Sequence, residues 1–229
     1  MRYRRFAAAL AAALLCVGST AAVAAKPPAT AKQAADAWKS EGLQPVRAAA
    51  LDLTYVRKDA RLNGYRRVLL KSVSVTPDSG WRRNASMSAS NSALNIKPVL
   101  AEVETMVREE TVRALQAGGY ALADAPGEDV AELEVSIVNL YLIAVDGGMS
   151  SNQTVSTSLG KLALVAAIRD SASGDLVLRA FDQETGPEPK ELPRKAADEA
   201  KAWVRQVVAG WGDTLKSGLD ISTGKASLR

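Results

Sequence analysis

The sequence predicts an α+β fold: a single mixed, mostly antiparallel sheet with two main helices packed on one face. Strand-like alternation of apolar and polar residues recurs in several segments, whereas two long segments carry apolar residues at helical spacing. A Gly- and Ser-containing turn between the last two predicted strands indicates an antiparallel hairpin. Because each long helix has one apolar stripe, both are expected in one layer on one face of the sheet.

The N-terminal segment is typical of a secretory signal peptide. Arg2, Arg4 and Arg5 precede an apolar run over residues 6–17, and small residues end at Ala25. The apolar run is shorter than the roughly 20 residues that a membrane span requires. We therefore expect residues 1–25 to be a signal peptide and the protein to be periplasmic or secreted.

Cys16, the one cysteine, lies within this leader. Leu15 directly precedes it and Ala13 stands three residues before it, which is a poor pattern for lipoprotein processing. We expect Cys16 to be an apolar member of the leader. An outer-membrane lipoprotein remains the alternative, and membrane association is expected only if Cys16 is lipidated.

Composition excludes several classes of function. The chain has no histidine, and 29 Lys and Arg stand against 25 Asp and Glu. Three of these arginines belong to the leader, so the remaining chain is nearly neutral and has no basic run. We therefore expect no nucleic-acid partner. Without His and a mature Cys, Ser-His and Cys-His nucleophiles and the zinc sites built on these ligands are excluded.

The elements follow in a consistent order after the leader. Residues 26–47, rich in Ala, Lys and Pro, are predicted to be a tether with one short helical piece around residues 34–39. Residues 48–219 are predicted to form a single α+β domain, and residues 220–229 a flexible tail. Within the domain, strands are predicted at residues 50–56, 66–76, 120–124, 130–145, 162–168 and 176–181.

Two helices are predicted at residues 97–117 and 194–215. The first has Pro98 in its first turn and ends at Gly118-Gly119. The second carries an apolar stripe that includes Trp203, Val207 and Trp211, which we expect to bury against the sheet. Residues 77–94 and 146–158 are rich in small polar residues and are predicted to be long loops.

Several phrases of the sequence resemble domain-of-unknown-function family 3313, which comprises proteobacterial envelope proteins. They are LDLTYVRKDARLNGYRRVLLKSVSV, Trp81-Arg82, ALQAGGYALADAPGEDVAELEVSIVNL and IRDSASGDLVLRAFDQ, within residues 51–219. The resemblance implies an envelope location and brings no catalytic signature. Many members of the family carry a lipoprotein leader, from which this chain departs.

The remaining candidate chemistry rests on carboxylates, Lys and Ser. Ser158 and Lys161 have the spacing of a serine acyl-transfer pair, but they lead into a strand rather than begin a helix. Glu132 and Glu134 share one strand face, where we expect them to be solvated, and Asp170 and Asp175 flank the predicted hairpin turn. We therefore expect no catalytic residue, no metal and no cofactor. The alternative is a carboxylate-dependent hydrolase that acts on cell-wall or exported polysaccharide.

Trp81, Arg82 and Arg83 form the candidate binding site. Trp and Arg are favoured at binding hot spots, and this cluster lies in the longest predicted loop. The alternative is that Trp81 packs onto the core. The predicted function is a non-enzymatic binding or assembly module, whose partner is another cell-envelope protein or a cell-wall component.

Overall fold

The computed structural model describes residues 26–46, 51–58, 64–87, 96–142, 158–189 and 193–222. The predicted leader with Cys16, most of the predicted loop at residues 146–158, and residues 223–229 lie outside the described residues. The helices are α1 (Ala31–Ser40), α2 (Ser79–Met87), α3 (Lys97–Ala117) and α4 (Pro193–Ser222). The strands are β1 (Leu43–Val46), β2 (Leu53–Arg57), β3 (Arg67–Pro77), β4 (Ala121–Leu122), β5 (Val130–Leu142), β6 (Gly160–Asp170) and β7 (Leu176–Thr185).

The strands form one mixed sheet in the order β1-β2-β7-β6-β5-β3-β4. Pairing is antiparallel from β1 to β5, and β3 runs parallel to both β5 and β4. The α+β fold is confirmed. The parallel pair follows from chain order, because α3 lies between β3 and β5 and carries the chain back across the sheet.

Helices α3 and α4 pack together on one face of the sheet, as predicted. Val107 of α3 and Val208 of α4 join Leu133, Val135 and Ile137 of β5 in the larger core. Burial of each such side chain stabilises the fold by roughly 1.5–3 kcal/mol. None of the described helices is both long enough and apolar enough to cross a membrane.

Trp211 is buried in this layer with 5% of its surface exposed, as predicted. Trp203 and Val207 are only partly buried, although the same helical stripe carries them. Both pack against the larger core but line an open depression between β7 and α4, which leaves part of each side chain exposed. Helix α4 continues to Ser222. Residues 220–222, which were predicted to belong to the flexible tail of residues 220–229, are therefore helical.

The opposite face of the sheet is covered by α1. Trp38 is 1% exposed and meets the ring of Tyr55 edge to face, with 5.5 Å between the ring centroids. Residues 26–46, the described part of the predicted tether at residues 26–47, therefore differ from that expectation: α1 packs on the sheet, and β1 pairs with β2. The physical reason is the spacing of Ala34 and Trp38, which places both on one helical face.

A bulge in β5 determines which side chains face the helix layer at one end of the sheet. Asn139 has a positive φ of 55°, and the pairing with β6 shifts register between Val138 and Tyr141. As a result, Leu140 and Tyr141 both pack against the larger core. The Asn139 side chain also donates a 2.6 Å hydrogen bond to the carbonyl oxygen of Ala29, which ties the N-terminal segment to the sheet.

Candidate functional site

The structure places the predicted site residues Trp81, Arg82 and Arg83 on α2 rather than in a loop. Trp81 is 1% exposed, whereas both arginines are exposed. Consecutive helical residues point about 100° apart, so the three side chains do not form one surface. This corrects the expectation that Trp81 is an exposed anchor, and it favours the alternative in which Trp81 joins the core. A binding role for Arg82 and Arg83 stays a prediction.

Helix α2 begins here because Asp78 caps it. The Asp78 Oδ1 atom accepts hydrogen bonds from the backbone N–H groups of Gly80 at 2.8 Å and Trp81 at 3.4 Å. Asp is among the preferred N-cap residues, and this was the signal in the sequence that could have predicted α2. The Ser- and Asn-rich composition of residues 77–94 obscured it.

Trp81 lines a cavity of about 330 Å³ at one end of the sheet. We call it the end-of-sheet cavity. Four segments meet there: the start of α2, the end of β5, the start of β6 and the end of β7. Its lining comprises Asp78, Gly80, Trp81, Tyr141, Ser158, Gly160, Lys161 and Thr185.

An ion pair spans this cavity between α2 and β6. The Lys161 ammonium donates to Asp78 Oδ2 at 3.0 Å, and about half of the Lys161 side chain is exposed. Burial raises the pKa of the Asp78 carboxyl, but the hydrogen bonds from Lys161 and from the Gly80 N–H outweigh it, so the pKa lies below its usual value. Asp78 is therefore charged at neutral pH and is balanced by Lys161.

The indole N–H of Trp81 is a buried polar group that the Asp78–Lys161 ion pair does not satisfy. Trp81 Nε1 has no hydrogen-bond partner among the described residues. The ring itself packs edge to face on Tyr141, with 6.1 Å between the ring centroids. An unsatisfied buried donor costs roughly 1–3 kcal/mol, so the Trp81 indole N–H lowers the stability of this part of the core.

Backbone forms the floor of the cavity beside Lys161. A Cβ at residue 160 would collide with the carbonyl oxygen of Tyr141, so the β6 backbone approaches β5 here only because residue 160 is glycine. Ser158 Oγ accepts from the Gly160 N–H at 3.1 Å and bonds the Gly160 carbonyl oxygen at 2.8 Å. Ser158 therefore holds the start of β6, and the serine-lysine spacing is structural here.

A second cavity, of about 370 Å³, lies between β7 and α4. Its carboxylates are Asp182 and Glu184, and its aromatic side chains are Trp203 and Trp211. Asp182 is 7% exposed and accepts from Trp211 Nε1 at 2.7 Å and from the Asp52 N–H at 3.0 Å. Burial raises the pKa of Glu184, and the charges of Asp182 and Asp52 raise it further.

The carboxylates that the sequence analysis considered as candidates have structural partners. Lys71 donates to Glu132 at 2.7 Å and lies 3.7 Å from Glu134. Glu132 is 9% exposed, which corrects the expectation that it is solvated. Asp170 accepts from two backbone N–H groups of its own hairpin turn and from the Tyr65 hydroxyl. Across the described residues, no group of three or more acidic, His or Cys residues could hold a metal ion.

Comparison with known proteins gives only weak structural likenesses. No family model matches the chain, so the resemblance to family 3313 is not confirmed. No curated protein matches it either.

Solved structures that resemble the chain include three bacterial proteins. The PelC dodecamer from Paraburkholderia phytofirmans is 12% identical with a TM-score of 0.34, over 73% of this chain and 94% of that one. A minor lipoprotein from Acinetobacter baumannii is 11% identical with a TM-score of 0.37, over 70% and 95%. A DUF4136 family protein from Bacteroides thetaiotaomicron is 13% identical with a TM-score of 0.35, over 78% and 97%. Similarity at this level supports no inference about activity, partner or assembly.

Proposed function

We propose that this protein is a non-enzymatic binding module of the bacterial cell envelope. It recognises another envelope protein or a cell-wall component through the end-of-sheet cavity. The signal-peptide pattern of residues 1–25 supports export. The observation that carries the binding role is the end-of-sheet cavity itself, whose lining combines the Asp78–Lys161 ion pair with the partly exposed ring of Tyr141.

The cavity favours binding over hydrolysis. A carboxylate-dependent hydrolase needs two carboxyl groups that face each other across the substrate. Asp78 is the single carboxylate among the described residues that line this cavity, and Lys161 already occupies one of its oxygens. The lowered pKa of Asp78 also makes it a poor proton donor near neutral pH.

The test is affinity capture from an envelope extract with matched variants of the exported chain. Asp78→Asn combined with Lys161→Met removes both charges, yet Asn still caps α2 and Met retains most of the Lys stem. Arg82→Gln combined with Arg83→Gln is the control on the outer side of α2. Recovered protein and carbohydrate are quantified, and the melting temperature of each variant is measured.

We expect the Asp78/Lys161 variant to stay folded with a slightly lower melting temperature and to lose the envelope component, while the arginine variant retains the component. If the Asp78/Lys161 variant still recovers the envelope component and the arginine variant does not, the interface lies at Arg82 and Arg83 instead. Failure of the unchanged protein to recover any component reproducibly would contradict a binding module.

A further inference from the structure

We infer that the outer edge of β3 pairs with the same edge of a second copy of this chain, so that the two copies share one continuous sheet. The contact is made by residues 72–76, which we call the β3 open edge. This inference goes beyond the proposed function and does not depend on it. It rests on three observations: an uncovered length of strand, a segment without charge or Pro, and a nearly palindromic sequence.

The sheet leaves most of β3 without an outer neighbour. The edge strand β4 has two residues and pairs with β3 only at Arg67 and Val68. Beyond Val68 no described strand lies on the outer side of β3, although β3 continues to Pro77. Side-chain exposure agrees with this position, because Val75 is partly exposed whereas Ile137, its neighbour in β5, is buried. The outward N–H and C=O groups of the β3 open edge can therefore pair with another chain.

The two edges of the sheet differ in how they are protected against such pairing. Edge strands are commonly protected by short length, by Pro or by charged side chains. At the other edge, β1 has four residues and one of them is Pro45. The β3 open edge contains neither Pro nor a charged residue. Lys71, which precedes it, donates to Glu132 at 2.7 Å and is therefore held on the face of its own sheet.

The sequence of the β3 open edge favours a second copy as the partner. It reads Ser-Val-Ser-Val-Thr, which is nearly the same in both directions. In an antiparallel pair centred on Ser74, Val73 faces Val75 of the second copy. Ser72 then faces Thr76 of the second copy. Opposed β-branched side chains and opposed hydroxyls both stabilise antiparallel strands, and each copy makes the same contacts, as a two-fold interface requires.

This pairing also keeps the layers of the two copies in line. The two-fold axis of an antiparallel strand pair is perpendicular to the sheet, so Val73 and Val75 of both copies lie on the face that carries α3. The contact is small, because a standard interface has roughly 20–30 residues a side. We therefore expect a reversible dimer with a micromolar dissociation constant rather than an obligate dimer.

The experiment measures the association of the exported chain by analytical ultracentrifugation from micromolar to millimolar concentration. Two double variants differ at one position. Ser72→Lys with Thr76→Lys places like charges opposite each other twice across the two-fold axis, whereas Ser72→Lys with Thr76→Glu places opposite charges there. Both positions are exposed, so the fold should tolerate either variant. Gln44→Lys, at an exposed position of β1, is the control on the other edge.

A single cysteine reports the register directly. Ser74 is the residue that faces its own copy in this pairing, with directly opposed Cβ atoms close to the separation that a disulfide requires. The exported chain holds no competing thiol, because Cys16 lies within the predicted leader. Ser74→Cys should therefore form a covalent dimer under mild oxidation, and Gln44→Cys is the control.

We expect the unchanged chain to dimerise and the Lys/Lys variant to associate about tenfold more weakly than the Lys/Glu variant at low ionic strength. Gln44→Lys should not change the association, and Ser74→Cys should crosslink much faster than Gln44→Cys. An unchanged chain that stays monomeric at millimolar concentration would overturn the inference. Equal association of the two double variants, weakening by Gln44→Lys, or equal crosslinking of the two cysteine variants would also overturn it.

Discussion

At the scale of single residues, Asp78 links the fold to the site. One carboxylate oxygen caps α2 and the other binds Lys161, so the residue that begins the helix also sets the charge of the end-of-sheet cavity. Its position between β3 and α2 thus fixes both the helix start and the placement of Trp81 against Tyr141.

The lowered pKa of Asp78 predicts how stability depends on pH at this residue. A carboxyl whose folded-state pKa lies below its unfolded value stabilises the fold above the unfolded pKa, about 3.9, and this stability is lost as pH falls through the folded pKa. Asp78→Asn keeps the cap but removes the charge. We expect it to be less stable than the unchanged protein at pH 7 and equally stable in strong acid. Urea unfolding across pH measures this, and a constant difference at every pH would contradict it.

The raised pKa of Glu184 predicts the opposite dependence of stability on pH. Burial raises its pKa, with further increases from Asp182 and Asp52, so its ionised form is disfavoured in the folded state. Its contribution to stability is present below the unfolded pKa, about 4.3, and is lost as pH rises through the folded pKa. Glu184→Gln should therefore increase the free energy of unfolding at pH 7 and make no difference in strong acid.

Glu188→Gln, at an exposed position near the same strand end, is the matched control. It should change stability by less than about 0.5 kcal/mol. A destabilised Glu184→Gln at pH 7 would show that the carboxylate has a favourable partner and would refute this account of the second cavity.

At the scale of the elements, α4 is anchored to the sheet by Trp211. The indole is 5% exposed and donates to the buried Asp182 of β7. We expect Trp211→Ala to cost roughly 3–5 kcal/mol through the lost packing. Trp211→Phe should cost about 1–3 kcal/mol, because it leaves the Asp182 oxygen without its donor.

Chemical unfolding measures both Trp211 variants against Trp203→Phe, whose partly buried ring should matter less. A change below about 0.5 kcal/mol for Trp211→Ala would mean that α4 does not depend on this anchor.

A corresponding prediction concerns helix α1, on the opposite face of the sheet. Trp38 is 1% exposed and packs on Tyr55 of β2, so Trp38→Ala should cost roughly 3–5 kcal/mol. Exposed Lys39→Ala is the control and should be nearly neutral. If Trp38→Ala leaves the melting temperature unchanged, the segment behaves as the tether that the sequence predicted.

The elements that could be predicted from sequence are those with long, regular patterns. Helix α3 begins and ends at the predicted residues, because Pro98 suits its first turn and Gly119 takes the left-handed conformation, φ 76°, that ends it. The β6–β7 hairpin could likewise be predicted, because a Gly- and Ser-containing turn connects its two strands. Helix α1 was predicted as a short helical piece around residues 34–39, but its packing on the sheet is a tertiary contact that the local pattern does not show. Helix α2 was missed, although Asp78 was a capping signal in the sequence.

At the scale of the whole molecule, the sheet lies between the α3–α4 layer and α1, and the candidate site lies at its end. The cavity takes residues from four segments that are far apart in the sequence, from Asp78 to Thr185. The sequence singled out Trp81 for its aromatic side chain, but it could not show that the ring is buried beside Lys161. That juxtaposition depends on the register of β5 with β6 and on the bulge at Asn139.

The central claim is that the end-of-sheet cavity is where this protein meets its envelope ligand, and site-specific photocrosslinking in living cells tests it most directly. A photoreactive amino acid replaces exposed Thr185 at the cavity or, as the control, exposed Gln44 on the edge strand β1. We predict a discrete crosslinked product from position 185 and none from position 44. A product from position 44 alone, or from neither position, would contradict the account.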